Sequence, residues 1–175
     1  SSLVHLLFRL YDYQKGHITI DGVELSDISR EWIRKNIGIV LQEPFLFSRS
    51  IYENIRIGDD VKDEEKVYEA ARIASIHDSI EEFESGYKTI VGERGVTLSG
   101  GQRQRIAIAR TVAKDVPILI FDDSLSAVDT ETDSQIRQAL KERSKDTTTI
   151  IISHRITTLA EADKILVIDK GKIAE

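Results

Sequence analysis

Four runs of this sequence are almost continuously apolar, and they constrain the fold more than any other feature. They are residues 37–41, 118–121, 149–152 and 165–168. Strands that are buried on both faces have this composition, and stretches with helical spacing separate most of the four runs. This alternation predicts an α/β fold with a mainly parallel sheet and helices on both faces.

Two of the intervening stretches have clear helical spacing. Residues 62–87 predict a helical insert, because apolar residues recur there at i, i+3, i+4 and i+7: Val67, Ala70, Ala71 and Ala74. Residues 130–144 predict a second helix, in which Thr130 and Asp133 have the spacing of a capping box. Ile136 and Leu140 form the apolar stripe of that helix.

Two further segments predict tight β-hairpins outside the parallel sheet. Asp21-Gly22 lies between two alternating runs, and Lys170-Gly171 has a similar position near the end of the chain. An Asp-Gly pair favours the two-residue turn of a hairpin, because both residues adopt a positive φ easily. We therefore expect a partial antiparallel β element beside the parallel sheet.

Charge and composition exclude several functional classes. The chain of 175 residues has a net charge of -6, which argues against a dedicated nucleic-acid binder. It has no cysteine, which excludes disulfides and thiolate metal sites. No apolar run approaches the roughly 20 residues that span a bilayer. The chain starts at Ser1 without Met and stops at Glu175 after a strand-like run, so we expect both ends to be cut.

One apolar run ends in two adjacent carboxylates, Asp122 and Asp123. An apolar strand that ends in Asp is how nucleotidases with a phosphate-binding loop place a carboxylate to hold Mg²⁺. Strands also end in Asp for reasons of turn formation. Taken alone, this feature leaves both interpretations open.

A glycine-containing turn lies upstream, in the stretch LSGGQRQRIAIAR. Ser99-Gly100-Gly101 is expected to open a helix that begins near Gln102. Two glycines remove side-chain bulk, so that backbone N–H groups and the Ser99 hydroxyl are free to meet an anion at the positive end of the helix. A flexible Ser-Gly-Gly loop is the alternative.

Taken together, these segments resemble the motifs of ABC-type ATPases. LSGGQ at residues 98–102 resembles the signature motif, and the strand ending at Asp122 resembles Walker B. Four more stretches match in the same order: the Q-loop glutamine Gln42, the X-loop of exporters at 91–95, the D-loop at 126–129 and the switch histidine His154. The resemblance extends over essentially the whole chain, including QEPFLFSRSIYENI after the Q-loop strand.

The resemblance implies a P-loop NTPase-like fold in three parts. Residues 1–61 are expected to form the first part of a RecA-like core, with the β-hairpin and the Q-loop. Residues 62–97 are expected to form the helical subdomain and the X-loop. Residues 98–175 are expected to carry the signature helix, Walker B, the D-loop, the switch histidine and the rest of the core.

The same resemblance implies ATP and Mg²⁺ as cofactors and assigns the site residues. The implied metal-binding residues are Ser1, Gln42 and Asp122. The implied nucleotide-binding residues are Ser1, Ser2, Gln42, Ser99, Gly100, Gly101, Gln102, Asp129 and His154. The implied catalytic residues are Asp123, His154 and Gln42.

The sequence departs from the family pattern at its start. In the family, Walker A ends in Gly-Lys-Ser-Ser or Gly-Lys-Ser-Thr, and this chain begins directly after the position of the Lys. Ser1 would supply the hydroxyl that binds Mg²⁺, with Ser2 beside it on a helix running to about Leu10. In the family, the phosphate-binding glycines and the Lys come before the position of Ser1, so we expect the chain on its own to bind nucleotide poorly.

A second departure is Asp123, since the family normally has Glu after the Walker B Asp to orient the attacking water. The shorter side chain withdraws the carboxylate by roughly 1 Å, which can lower the rate by about 10²-fold. We therefore expect a site that binds ATP and hydrolyses it slowly. This pattern resembles the degenerate half of a heterodimeric bacterial exporter; a tolerated variant in a homodimer is the alternative.

The resemblance also implies partners and location. ABC domains pair head to tail, so the partner would be a second, non-identical nucleotide-binding domain. The Q-loop region with Phe45 and Phe47, the X-loop residues Glu93 and Arg94 and the helical insert would meet coupling helices of a transmembrane domain. The chain would lie at the cytoplasmic face of the cell membrane and bind no nucleic acid. Alternatives are a regulatory ATP-binding module without useful turnover and a non-transport ABC ATPase.

Overall fold

The computed structural model describes residues 2–57, 63–92, 96–143, 147–160 and 162–174. The helices of the described part are α1 (Ser2–Leu7), α2 (Arg30–Asn36), α3 (Ile51–Arg56), α4 (Glu64–Ile73), α5 (His77–Glu81), α6 (Gly100–Val112), α7 (Thr130–Arg143) and α8 (Ile156–Leu159). The strands are β1 (Thr19–Ile20), β2 (Val23–Glu24), β3 (Ile37–Val40), β4 (Ile118–Asp122), β5 (Thr148–Ile152), β6 (Ile168–Asp169) and β7 (Lys172–Ile173).

A parallel sheet lies at the centre of the fold. Its strand order within the described residues is β3-β4-β5, and both pairs of neighbours are parallel. The register places Val40 opposite Phe121 and Asp122 opposite Ile152, so the three carboxyl ends lie at one edge. Parallel neighbours need long crossovers, and the chain supplies them with α3 to α6 and with α7.

Helices cover both faces of this sheet, as the sequence predicts. Alternate residues of β4 point to opposite faces, because side chains alternate along a strand. Ile120 packs in a cluster with Val4 of α1 and Ile33 of α2. Leu119 and Phe121 belong to a larger cluster that contains the buried residues of α3, α4 and α6. The predicted α/β fold class is therefore confirmed.

The predicted helical insert is present. Helix α4 carries its buried residues at the predicted spacing, and all four positions are at most 1% exposed: Val67, Ala70, Ala71 and Ala74. Asp63 caps the start of α4 by accepting a hydrogen bond from the Glu65 backbone N–H at 3.0 Å. Helix α4 packs mainly against α6, which joins the insert to the helix that follows residue 99.

Both predicted hairpins are confirmed as well. Strands β1 and β2 pair antiparallel across Asp21 and Gly22, which have φ of 49° and 79°. Strands β6 and β7 pair in the same way across Lys170 and Gly171, with φ of 47° and 77°. Positive φ at both central residues is the requirement of the turn that matches the twist of a hairpin.

The prediction of a buried strand at residues 165–168 is wrong. Within this run only Ile168 lies in a strand, the antiparallel β6, and Ile165, Leu166, Val167 and Ile168 are 44–68% exposed. An apolar run predicts burial only where other elements pack on it, and tertiary packing decides that. The other three runs form β3, β4 and β5.

The predicted cap of the second helix is also wrong, although the helix itself is present as α7. Asp129 accepts a hydrogen bond from the Thr132 backbone N–H at 2.9 Å, so Asp129 rather than Thr130 caps the helix. Asp133 is buried instead, and it accepts a hydrogen bond from the Thr158 hydroxyl at 3.1 Å.

Helix α6 packs closely against β3 at Gly38. A Cβ added at this glycine would lie 2.7 Å from Thr111 Cγ2 and 3.0 Å from both Leu119 Cδ2 and Val116 Cγ2. We expect Gly38→Ala to lower the free energy of unfolding by about 1–3 kcal/mol through overpacking. Chemical denaturation would measure the change. Gly100→Ala is the control, since nothing lies within 4 Å of its added Cβ; equal stability of the two variants would contradict the prediction.

Candidate functional site

Polar residues follow the carboxyl ends of all three parallel strands. Gln42 lies two residues after β3, Asp122 ends β4, and His154 lies two residues after β5. The backbone N–H of Asp123 donates to the Ile152 carbonyl at 2.8 Å, which ties the ends of β4 and β5 together. Ligands of parallel α/β sheets bind outside the carboxyl ends of the strands, so this edge is the candidate site.

Gln42 and Asp123 lie in direct contact at this edge. The Gln42 Nε2 donates a hydrogen bond to Asp123 Oδ2 at 3.2 Å, across a separation of 81 residues in sequence. Asp123 has a φ of 49°, in the left-handed region that Asp adopts more readily than most residues. The Ser126 hydroxyl donates to the Asp123 carbonyl oxygen at 2.7 Å and helps to hold this conformation.

Two side chains at this edge are among the residues predicted to hold a magnesium ion. Asp122 is half-buried at the end of β4, and Gln42 presents an amide oxygen from the neighbouring strand end. Carboxylate and amide oxygens are hard ligands of the kind that Mg²⁺ accepts, with the remaining positions left to water and phosphate. Ser1, the third predicted ligand, lies outside the described residues. Ser2 begins α1, which packs through Val4 on the same sheet.

Ser99 and Gln102 form a capping box at the start of α6. The Ser99 hydroxyl oxygen accepts a hydrogen bond from the Gln102 backbone N–H at 3.1 Å, and the Gln102 Oε1 accepts one from the Ser99 N–H at 2.9 Å. Helix α6 therefore begins at Gly100, two residues earlier than predicted. The Ser99 oxygen serves the helix end as an acceptor, a role that leaves its O–H group able to donate.

The two glycines give this helix end an open side and a packed side. A Cβ on Gly100 would meet nothing within 4 Å, whereas a Cβ on Gly101 would lie 3.3 Å from the Ala127 carbonyl oxygen. The open side at Gly100 leaves room for a ligand to approach the helix amides. The N-terminus of a helix attracts anions through these amides and the helix dipole. Phosphate is one anion that the partial positive charge of this helix end would attract.

Helix α6 is tied to the segment after β3 at two points that the sequence did not predict. Gln104 is 1% exposed, and its Nε2 donates to the Leu41 carbonyl at 3.1 Å. Arg110 donates to the Phe45 carbonyl and to Asn54 Oδ1, both at 2.8 Å. Burial lowers the pKa of Arg110. The available signal was polar side chains on the apolar face of a helix, which need partners when they are buried.

The predicted D-loop, residues 126–129, and the predicted switch histidine, His154, lie on neighbouring segments. Asp129 is exposed, and the hydrogen bonds that it accepts from Thr132 lower its pKa. His154 is exposed and directly precedes Arg155, which is the residue before α8. The Arg155 guanidinium donates to the Ser126 carbonyl at 2.7 Å and to the Val128 carbonyl at 3.0 Å. Arg155 lies outside the motifs predicted from the sequence.

The surface predicted to meet a transmembrane partner is partly described. Phe45 and Phe47 are 68% and 40% exposed, with ring centroids 5.0 Å apart in an edge-to-face arrangement. Glu93 and Arg94 lie outside the described residues. None of the helices in the described ranges is long and apolar enough to cross a membrane.

Comparison with known proteins gives the family. The family model described as "ABC transporter" matches residues 1–126. Two relatives that align with the whole chain are the putative multidrug export ATP-binding/permease protein YgaD of Bacillus subtilis, at 46% identity, and the mitochondrial iron-sulfur clusters transporter ABCB7 of Homo sapiens, at 44%. P-glycoprotein 14 of Caenorhabditis elegans is 45% identical over all 175 residues.

A solved structure agrees with these relatives. The structure of a bacterial Atm1-family ABC exporter with ATP bound matches 99% of this chain with a TM-score of 0.94 and 44% identity. The chain covers 30% of that exporter, and 30%, 23% and 13% of YgaD, ABCB7 and P-glycoprotein 14. The family resemblance drawn from the motifs is confirmed: the chain belongs to the ABC transporter family.

Proposed function

We propose that this chain is the ATP-binding and ATP-hydrolysing domain of a membrane exporter. The observation that carries the proposal is the convergence of Gln42, the Asp122-Asp123 pair and the segment of His154 at one edge of the parallel sheet. The relatives support export as the process, because their names describe exporters or transporters. Binding of ATP closes a head-to-tail pair of such domains, and this closure drives the export.

The metal-binding roles follow from the oxygen atoms at the sheet edge. Asp122 and Gln42 would hold Mg²⁺ together with the hydroxyl of Ser1, and Ser2 would bind a phosphate oxygen. When bound, the ion neutralises charge on the phosphates. Asp122 suits this role because β4 is the central described strand, and a rigid strand fixes the position of its carboxylate. His154 would contact the terminal phosphate from the end of β5.

Asp123 and Gln42 would orient the attacking water. Their hydrogen bond at 3.2 Å supports this role, because it places the two side chains next to each other. The Asp side chain is one methylene shorter than the usual Glu, so its oxygens stop short of the position that a Glu carboxylate would reach. We therefore propose that hydrolysis at this chain's own site is slow while ATP binding is retained.

The partner is a second nucleotide-binding domain of a non-identical chain. The helix end formed by Ser99, Gly100, Gly101 and Gln102 would serve the nucleotide held by that partner, and Asp129 would face the same interface. Gly100 supports this role, since its surroundings are open in a single chain. A degenerate site in this chain then coexists with an intact signature, as in a heterodimeric exporter.

The membrane side of the domain would be the surface of Phe45, Phe47 and the helical insert. Arg110 supports this assignment, because it joins the Phe45 carbonyl to α6, the helix that begins at the signature turn. Residues 1–61, 62–97 and 98–175 would be the three functional parts described above. The domain would lie at the cytoplasmic face of the cell membrane, attached to a transmembrane domain.

A regulatory ATP-binding module is the second candidate, and Asp123 is the observation that favours it. In that case ATP would close the dimer without useful turnover at either site. Single-turnover hydrolysis, measured with and without a partner that carries Glu at the corresponding position, separates the two functions. Turnover that depends on the Glu-bearing partner supports the exporter; closure without turnover in both arms supports the regulatory module.

Magnesium-dependent ATPase activity of the full-length protein in lipid vesicles tests the proposed function. We expect Asp122→Asn to lower hydrolysis at this chain's own site at least about tenfold, measured in a single turnover with the partner's catalytic carboxylate neutralised, because a neutral amide holds Mg²⁺ weakly. Asp12→Asn, which changes an exposed carboxylate in the loop after α1, is the matched control and should leave the rate unchanged. Equal activity of the two variants would argue against the assignment of Asp122.

A further inference from the structure

Arg155, the residue after His154, binds two backbone carbonyls of residues 126–129 through its side chain. Arg155 Nη2 lies 2.7 Å from the Ser126 carbonyl oxygen, and Nη1 lies 3.0 Å from the Val128 carbonyl oxygen. The two acceptors flank Ala127, so the guanidinium bridges the middle of residues 126–129. The fork of an Arg side chain can make both bonds at once from one rigid plane.

The segment that Arg155 holds is fixed at its ends, and its middle lies beside the start of α6. Ser126 bonds to the Asp123 carbonyl through both its N–H and its hydroxyl, at 3.3 and 2.7 Å. Asp129 caps α7 at the other end. Between them, the Ala127 carbonyl lies 3.3 Å from the position of a Cβ on Gly101. A movement of residues 126–129 would therefore reach the start of α6.

A hydrogen bond between α8 and α7 lies nearby in sequence but is buried in the interior. The Thr158 hydroxyl donates to Asp133 Oδ2 at 3.1 Å, and Asp133 also pairs with Arg137 at 3.5 Å. These groups are buried: Thr158 is 2% and Asp133 is 1% exposed. The bond is set in the packed interior between the two helices and does not involve residues 126–129. It provides a structural comparison for Arg155.

We infer that Arg155 is a positioning residue that couples the His154 segment of one nucleotide site to the D-loop presented to the other site. The inference rests on the proposed function, in which His154 faces this chain's nucleotide and Asp129 faces the partner's. Movement of the segment at residues 153–155 on nucleotide binding changes the position of the Arg155 guanidinium. The Ser126 and Val128 carbonyls move with the guanidinium, and this movement shifts Ala127 and the start of α6.

Hydrogen exchange in the full-length protein measures this coupling directly, since amide exchange reports local opening. Adding ATP and Mg²⁺ to the wild type should slow exchange in peptides covering residues 153–159 and 124–130. In Arg155→Lys, exchange should still slow at 153–159 but no longer at 124–130, because a Lys ammonium cannot bridge the two carbonyls as a planar fork. The steady-state kcat should fall about tenfold with KM nearly unchanged.

Thr158→Val is the matched control, because it removes a hydrogen bond between α8 and α7 while keeping the shape of the side chain. It should lower the unfolding temperature and leave the joint response of both peptides intact. Arg155→Gln gives an independent test if Arg155→Lys does not fold, since a Gln amide can bind at most one of the two carbonyls at a time. In this variant too, exchange should slow at 153–159 and not at 124–130.

Two outcomes would overturn the inference, and only the second also overturns the proposed function. If Arg155→Lys lowers stability like Thr158→Val while both peptides still respond to ATP together, Arg155 is structural and the proposed function stands. If the wild type shows neither an exchange response to ATP and Mg²⁺ nor hydrolysis, the proposed function fails and the coupling fails with it.

Discussion

Gly100→Asp is expected to lower the ATPase activity of the assembled full-length protein by about 10²-fold or more, because like charges brought together at an interface cost several kcal/mol. The added carboxylate would lie at the open side of the start of α6, where nothing in this chain lies within 4 Å of the Cβ. That side is where we propose that the partner's phosphates bind. The added carboxylate would occupy this space, and its negative charge would repel the phosphates.

The same substitution should leave the fold intact, which makes the result specific. A carboxylate in the first turn of a helix interacts favourably with the helix dipole, by roughly 0.3–1 kcal/mol. The unfolding temperature should therefore stay close to that of the wild type. Steady-state ATPase and thermal unfolding, measured on the same preparation, would check both parts.

Gly100→Ala separates charge from size at this position. Its methyl group has room, so its activity should lie between those of the wild type and Gly100→Asp. If Gly100→Asp keeps wild-type activity, this helix end does not bind phosphate, and the head-to-tail pairing that we propose is wrong.

Asp123→Glu is expected to raise hydrolysis at this chain's own site by about 10²-fold, since a displacement near 1 Å in a reacting group costs about that factor. The added methylene extends the carboxylate beyond its contact with Gln42 and toward the position of the attacking water. A single-turnover assay with the partner's own catalytic carboxylate neutralised would isolate this site. ATP affinity should change little, because Asp122 is retained.

The backbone at residue 123 predicts a cost for this gain. Asp123 has a φ of 49°, and short polar residues tolerate the left-handed region better than Glu does. We expect Asp123→Glu to lose about 1 kcal/mol of stability, the usual cost of that conformation for a side chain without a local hydrogen bond. Thermal unfolding would show the loss as a small decrease in Tm.

Asp123→Asn is the control for the Glu variant. It has nearly the same shape as Asp and tolerates the same φ, but it carries no charge with which to polarise water. Its rate should be no higher than that of the wild type. A Glu variant that hydrolyses ATP no faster than the Asn variant would show that side-chain length does not limit this site.

The position of the site could be predicted from sequence because it depends on local patterns. The apolar runs that become β3, β4 and β5 end next to Gln42, Asp122 and His154, and parallel strands bring their carboxyl ends to one edge. The run at residues 165–168 has the same composition and lies exposed, because composition does not reveal which elements pack on a strand.

The polar contacts inside the site could not be predicted in this way. Arg155 reaches a carbonyl 29 residues away, and Arg110 reaches one 65 residues away. Each of these bonds requires two segments to be placed to within about 0.3 Å, the tolerance of a hydrogen-bond length. No repeat or spacing in the sequence carries that information.

The sequence by itself determined the α/β class, the parallel strands, the two hairpin turns and the residues that resemble the family motifs. These follow from side-chain periodicity and from φ preferences, which act over a few neighbouring residues. Tertiary structure alone decided that Gln42 contacts Asp123 and that Arg155 bonds to the carbonyls of Ser126 and Val128. Those contacts form only after the sheet and helices have packed, because hydrogen bonds between distant segments depend on the shape of the whole core.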